Sequence, residues 1–404
     1  MTRATRRGLS WVFPEAGLLL ATVLALHAEA LRDPVREFAR FYAYLVFGLG
    51  ALLALRFQRS RLVFALLLLG LVEWGLAHAP HGVAGRFVFQ ASAVLLPLNL
   101  AAVTLMRERG TFTRTGLLRL VVLLAQAAAV AMAARSAPAQ WAALAAHRLL
   151  PPHWFAWTPL AQIPVLAFVA AFLLIAVGTM FQASPTGRAF LWALVATFLA
   201  LHSGRTGVAT LVYASTAALI LVVAVVEASY LMAYQDGLTG LPARRALNEA
   251  LQRMDGQFTI AMVDVDHFKK LNDRYGHDVG DQVLRMVASR LAGTSGGGRA
   301  FRYGGEEFAV LFSGKGTEEC LPELEALRRA VEQSKFTLRR RLRRRRKRGG
   351  GDGSGANGRR QIAVTVSIGA AEPSGQQRSP EQVVQAADRA LYRAKDGGRN
   401  RVET

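Results

Sequence analysis

Cysteine is nearly missing from this 404-residue chain: Cys320 stands alone, so no internal disulfide can form and no cysteine-based zinc cluster can be assembled. Acidic residues are sparse as well, 28 against 49 Lys and Arg, and charged residues of both signs make up only 19% of a chain that is 52% hydrophobic. That balance excludes an ordinary soluble protein from end to end. A cleavable leader is not indicated either. Arg3, Arg6 and Arg7 precede the first apolar stretch, but no small-residue cleavage site leads into soluble sequence, so the stretch reads as a retained anchor.

What is present is unevenly placed. Apolar runs such as residues 62–71 and 217–226 crowd residues 9–226, and the composition shifts once, near Glu227. A bilayer core of about 30 Å takes roughly 20 apolar residues as a helix. Eight windows are expected as spans: 11–29, 39–55, 62–79, 87–106, 116–134, 158–180, 188–203 and 206–226, the second and seventh being short. Eight spans put both ends on one side, and the arginines of the N-terminus and of the loops with Arg56, Arg59, Arg61, Arg107, Arg109 and Arg114 favour the cytoplasm for it. Arginines in the opposite loops make that bias modest. Six histidines, His27, His78, His81, His147, His153 and His202, fall near the expected outer ends of spans. They could converge on a metal- or pH-sensing site, or simply sit at the membrane interface.

The net charge of +21 suggests nucleic acid or an anionic surface as a partner until its distribution is read. Nine of the ten residues 339–348 are basic and Arg359 and Arg360 follow, so one local insertion supplies about half the excess. This segment, 339–360, is expected to be a solvated loop or a contact for anionic lipid; specific nucleic-acid binding is not expected.

From Asp236 onward short strands alternate with amphipathic helices, the pattern of a mixed α and β domain. Helices are expected at 244–251, 279–291 and 324–335, and strands at 258–263, 299–303, 308–312 and 362–367. Gly304 and Gly305 lie between two strands as a hairpin turn, with Glu306 and Glu307 at its tip. The strand through Val263 runs into Asp264-Val-Asp266, and period-two alternation sets both carboxylates on one face. Hard cations such as Mg²⁺ take carboxylate and carbonyl oxygens, so two acidic clusters at strand ends suit phosphoryl transfer.

Six strings in order, Asp236-Gly-Leu-Thr-Gly-Leu-Pro-Ala-Arg-Arg, Asp264-Val-Asp-His-Phe-Lys-Lys-Leu-Asn, Tyr275-Gly-His-Asp-Val-Gly-Asp, Arg302-Tyr-Gly-Gly-Glu-Glu-Phe, Val366-Ser-Ile-Gly-Ala and Ala387-Asp-Arg-Ala-Leu-Tyr-Arg-Ala-Lys, closely resemble the GGDEF family of diguanylate cyclases. The apolar windows give a multi-span α-helical membrane domain (1–226) and a short linker helix (227–235), and the resemblance implies an α+β, palm-like nucleotidyl-cyclase domain over 236–404. It implies condensation of two GTP into cyclic di-GMP by a homodimer in a bacterial cytoplasmic membrane, the catalytic domain facing the cytoplasm. Asp264, Glu306 and the Val265 carbonyl would hold Mg²⁺, with Mn²⁺ as a substitute. Glu307 would serve a second metal and deprotonate the ribose 3′-hydroxyl. Asn272 and Asp281 would read the guanine edge, while the backbone of His267 and Phe268, with Lys269, Lys395 and Arg399, would cradle the triphosphate. Gly304 and Gly305 would permit close approach.

The pattern departs from the family in two places. The inhibitory product site, Arg-x-x-Asp ahead of the first motif glycine, is replaced by Ser295-Gly-Gly-Gly298, so no such site is expected; and Ala243 stands where Asn is usual. Glu325-Ala326-Leu327 matches the name motif of cyclic di-GMP phosphodiesterases only by coincidence, since no sequence remains for their barrel. The competing function is a membrane receptor that binds GTP or cyclic di-GMP without catalysis.

Overall fold

A long apolar segment satisfies its backbone away from water most simply as a helix, and the N-terminal half does so repeatedly. The computed structural model describes residues 14–28, 32–145, 147–181, 184–334, 336–337, 361–375 and 379–404. The chain divides into two compact units, Met1–Ser229 and Tyr230–Thr404.

In the first unit α1 (Glu15–His27), α2 (Arg32–Arg56), α3 (Ser60–Ala77), α4 (Val83–Leu105) and α5 (Arg114–Ser136) follow one another. A short α6 (Pro138–Ala145) and a 3₁₀ turn (Pro152–Phe155) lead to α7 (Gln162–Phe181), α8 (Pro185–His202) and α9 (Val208–Tyr234). Thr113 and Ser184 cap α5 and α8 by accepting from Gly116 N and Gly187 N, which satisfies an orphan donor of each first turn. A helix occupies every window expected as a span. Among the described residues, six are long and apolar enough to cross a membrane: Glu37–Arg56, Ser60–Ala77, Val83–Leu105, Arg114–Ser136, Gln162–Met180 and Val208–Tyr234. The second window, expected to be short, belongs to a helix of 25 residues. The first and seventh hold the less qualified helices, α1 with 13 residues and α8 with 18. Some charges within this unit are paired: Arg188 donates through Nε to Glu15 and through Nη2 to both carboxylate oxygens of Glu227, each at 2.9 Å, and Arg61 Nε meets Glu108 at 3.1 Å.

The second unit is built on β1 (Phe258–Val265), β2 (Arg299–Gly304), β3 (Glu307–Ser313), β6 (Val366–Ala371) and β7 (Val402–Glu403), in the order β2-β3-β1-β6-β7. β1 runs antiparallel to both neighbours, and β7 is parallel to β6. All eight residues of β1 are buried because both sheet faces are covered. On one face Ile260 and Met262 join Leu247 and Leu251 of α10 (Arg244–Gln252) and Val383, Ala387 and Leu391 of α14 (Pro380–Asp396). On the other, Ala261, Val263 and Val265 pack with Phe268 of α11 (Phe268–Tyr275), Val283 and Val287 of α12 (His277–Leu291) and Leu324 of α13 (Thr317–Glu332).

One glycine decides where α14 lies. A Cβ at Gly369 of β6 would collide with the Leu391 nitrogen and the Ala387 carbonyl oxygen, so helix backbone and strand backbone touch there. Two expected elements are corrected. The helix placed at 324–335 begins at Thr317 and ends at Glu332, because Gly316 and Glu319 form its N-terminal cap and Pro322 lies in its second turn. The strand placed at 362–367 is two pieces: β5 (Gln361–Ile362) pairs antiparallel with β4 (Phe336–Thr337), and β6 starts only at Val366. The basic insertion that β4 and β5 flank lies outside the described residues.

Candidate active site

β1 is the central strand, and its C-terminal end gathers the acidic side chains. Asp264 faces Glu307 of β3 on one side and Ser367 of β6 on the other. The hairpin differs from its sequence reading: Gly304 pairs with Glu307, after a register shift between Arg302 and Gly304, so the turn is Gly305-Glu306 and Glu307 lies in the strand. A bulge of this kind re-aims the side chains beside it. It sets Glu307 against Asp264, while Val265 N donates to the Glu306 carbonyl at 3.4 Å. Val265 itself pairs with Val366. Among the described residues nothing occupies the space of a Cβ at Gly305, whose φ is +36°, and at Gly304 only Glu307 Oε2 comes near, at 3.8 Å.

Asp264 is 5% exposed and meets Lys395 Nζ at 2.9 Å. Burial pushes its carboxyl up, Asp266 adds to the rise, and Lys395 and Arg399 pull against it. Burial likewise raises Glu306 and Glu307, with Asp264 the next cause for both; for Glu307, Asp388 of α14 adds to it. The site is thus a crowd of carboxylates with Lys395, Arg399 and Arg244 as nearby counter-charges. Asp266, placed by sequence on the same face as Asp264, has a different occupation. Its carboxylate accepts from Ser367 Oγ at 2.7 Å, Thr365 Oγ1 at 2.8 Å and Asn400 N at 3.1 Å, which leaves it a structural anchor.

His267 follows the strand with φ +56° and opens α11, whose first N–H groups, starting at Phe268, have no partners within the helix. Phe268 buries its ring, whereas His267 and Lys269 are exposed. Asn272 of α11 lies against the first turns of α12. A Cβ at Gly280 would collide with its Oδ1, and that buried oxygen has no hydrogen-bond partner among the described residues. Asp281 follows Gly280, half-buried.

The sequence reading missed a buttress under the turn. Arg302 donates through Nη1 to Asp236 Oδ1 and through Nη2 to the Gly305 carbonyl, both at 2.7 Å, and Asp236 Oδ1 also accepts from Thr239 N at 2.8 Å and Thr239 Oγ1 at 2.6 Å. Burial works to raise the Asp236 carboxyl, but the bonds from Thr239 and Arg302 outweigh it and hold it below the usual carboxylate range. Both residues belong to the motif strings, but nothing in the sequence shows that they meet.

Among the described residues no three His, Cys, Asp or Glu stand at metal-ligating spacing. The donor set at the end of β1 nevertheless fits a hard divalent cation, since its oxygens are crowded enough to raise one another's pKa and Asp264 already draws an ammonium. Among the described residues the histidines do not gather into a metal-ligating group. His27 and His78 each contact the carbonyl four residues back, those of Val23 and Trp74, at 2.8 Å; His202 packs on Phe198 and Trp157, and His81 meets Arg205.

The family model for the diguanylate cyclase GGDEF domain matches residues 233–348 and 353–401. The response regulator PleD of Caulobacter vibrioides is 36% identical over 182 residues, covering 42% of this chain and 36% of PleD. The diguanylate cyclase VdcA of Vibrio cholerae is 39% identical over 171 residues, 41% of this chain and 45% of that protein. The chain therefore spans less than half the length of these curated relatives. Among solved structures, the GGDEF domain of DgcB from Caulobacter crescentus in complex with c-di-GMP is 36% identical, covering 42% of this chain and 95% of that one with a TM-score of 0.36. With six long apolar helices ahead of it, the region that carries the Asp264–Glu307 site is a diguanylate cyclase GGDEF domain.

Proposed function

We propose that this protein is a membrane-embedded diguanylate cyclase: the 3′-hydroxyl of one GTP attacks the α-phosphate of a second, pyrophosphate leaves, and the reciprocal attack closes cyclic di-GMP with loss of a second pyrophosphate. The observation that carries the reading is the register that sets Glu307 directly across from Asp264, with Lys395 2.9 Å from the Asp264 carboxylate. Asp264, Glu306, Glu307 and the Val265 carbonyl would hold Mg²⁺, or Mn²⁺ in its place, which when bound offsets charge on the attacked phosphate. Glu307, its carboxyl raised by burial and by Asp264, is suited to take the proton of the 3′-hydroxyl. Lys395, Arg399 and Lys269, with the first amides of α11 at His267 and Phe268, supply positive charge and donors for the triphosphate. Gly304 and Gly305 leave the approach to the acidic residues open. Asn272 and Asp281 offer acceptors to the ring and exocyclic N–H groups of guanine, and the unpartnered Asn272 Oδ1 supports that role.

Each domain holds one GTP, so two must face each other and the working form is a homodimer. GTP is a cytoplasmic substrate, which sets the catalytic domain on that side of a bacterial inner membrane, with the apolar helices as a multi-pass anchor and sensory domain. The test is stoichiometry. Full-length protein in detergent should release two pyrophosphates per cyclic di-GMP, leave ATP untouched, and lose rate per molecule on dilution as the dimer separates. GTP bound tightly yet unconsumed at every protein concentration would favour the receptor reading instead.

A further inference from the structure

Arg399 and Asn400 are consecutive non-glycine residues with φ of +65° and +47°. That conformation is unfavourable for an L-residue such as Arg and more readily taken by Asn, and two in succession are held by surrounding bonds. They are visible. Arg399 N donates to the Ala394 carbonyl at 3.0 Å, and Asn400 N to Asp266 Oδ2 at 3.1 Å. The Asn400 carboxamide is gripped from α13: Oδ1 accepts from Arg328 Nη1 and Nδ2 donates to Glu332 Oε1, both at 2.7 Å. Arg328 is fixed in turn by Glu325, at 2.7 and 2.9 Å, and by Glu332 at 2.9 Å, with its side chain 11% exposed. One residue later Ile368 N donates to the Arg401 carbonyl at 2.9 Å, where β7 begins. Arg399 therefore sits between α14, which carries Lys395, and a pin of three polar bonds on Asn400. Arg399 is exposed, and the turn that carries it lies beside the end of β1, since Asn400 N is bonded to Asp266 and Lys395, four residues before Arg399, meets Asp264.

We propose that Asn400, held by Arg328 and Glu332 of α13, is a positioning residue for Arg399: it fixes the left-handed turn that aims the guanidinium over the Asp264 end of the site and so sets affinity for the triphosphate. This rests on the cyclase reading and on the role given there to Arg399. The carboxamide is required because it must accept from a cation and donate to a carboxylate at once, which neither Asp nor a hydrocarbon can do. Glu325 and Glu332 matter through Arg328, so α13 acts on a substrate it does not touch.

The test uses the full-length protein with GTP and Mg²⁺. Asn400→Gly keeps the left-handed backbone available and removes only the carboxamide bonds. It should raise KM for GTP about tenfold, the scale of a lost charge-assisted bond, with kcat and melting temperature little changed. Asn400→Asp sets a carboxylate against Glu332 and should raise KM further; Asn400→Asp with Glu332→Gln restores a donor and should bring KM back. Arg399→Ala should raise KM alike, and Asn400→Gly should add nothing on that background, because both act through one guanidinium. An unchanged KM in Asn400→Gly, or full additivity with Arg399→Ala, overturns the inference while leaving the cyclase reading intact. An active wild type whose KM ignores Arg399→Ala removes the role of Arg399 and the inference with it, and a wild type that forms no cyclic di-GMP removes the cyclase reading as well.

Discussion

Glu307 is held in a place that suits chemistry better than stability. Burial, Asp264 and Asp388 raise its carboxyl in the folded state. A group raised in this way contributes stability that is fully present below the unfolded carboxylate value and is lost as pH rises through the folded one. Glu307→Gln should therefore abolish turnover and yet raise the melting temperature at pH 8 without divalent cations, by about 2 °C. The gain should vanish near pH 4, and Mg²⁺ should shrink it at pH 8 by neutralising the wild-type cluster. Asp236 has the opposite sign. Thr239 and Arg302 depress its carboxyl despite burial, so its contribution is present above the unfolded value and is lost as pH falls through the folded one. Asp236→Asn should cost about 2 kcal/mol at neutral pH, a deficit that thermal melts should see disappear below pH 3, and it should slow turnover by loosening the Gly305 turn. The sequence announced these residues unequally. Asp264, Asp266, Glu306 and Glu307 stood out as acids at strand ends, although Asp266 is taken up by Thr365, 99 residues away, whereas Asp236 looks like any turn aspartate until Arg302, 66 residues away, comes within reach.

Among the elements, α14 carries the most consequence, since its seat on β6 decides where Lys395 stands relative to Asp264. Gly369→Ala would force that seat apart, as its Cβ has only backbone to meet. The variant should lose 1–3 kcal/mol, roughly the cost of overpacking, and about a hundredfold in cyclic di-GMP formation through a displaced Lys395. The segment before β2 makes a further expectation. Ser295 Oγ bonds Glu323 of α13 and glycines fill 296–298, so the purified protein should keep its rate in submicromolar cyclic di-GMP; inhibition at that level would contradict the reading. Periodicity located most of these elements because their burial is one- or two-faced. It failed at β5 and β6, where one apolar run serves two sheets, and at the hairpin, where a register shift moved Glu307 from turn to strand. Neither a change of sheet nor a bulge leaves a periodic trace.

At the scale of the whole molecule, the two units were separable in sequence because lipid and water select different compositions. Apolar length located a helix at every expected span, and six of them meet the length and apolar character of a crossing among the described residues. The outer histidines show the limit of that reading: similar depth in a membrane is not convergence, which depends on helix rotation that hydropathy does not encode. On the proposed function, dimerisation is the demand that the chemistry places on the assembly, because one site would hold one GTP and the product needs two. The most direct measurement is cyclic di-GMP formation from GTP and Mg²⁺ by the full-length protein in detergent, followed by mass spectrometry beside Glu307→Gln. The account predicts product from the wild type and none from the variant; equal product from both, or none from a folded, dimeric wild type, would contradict it.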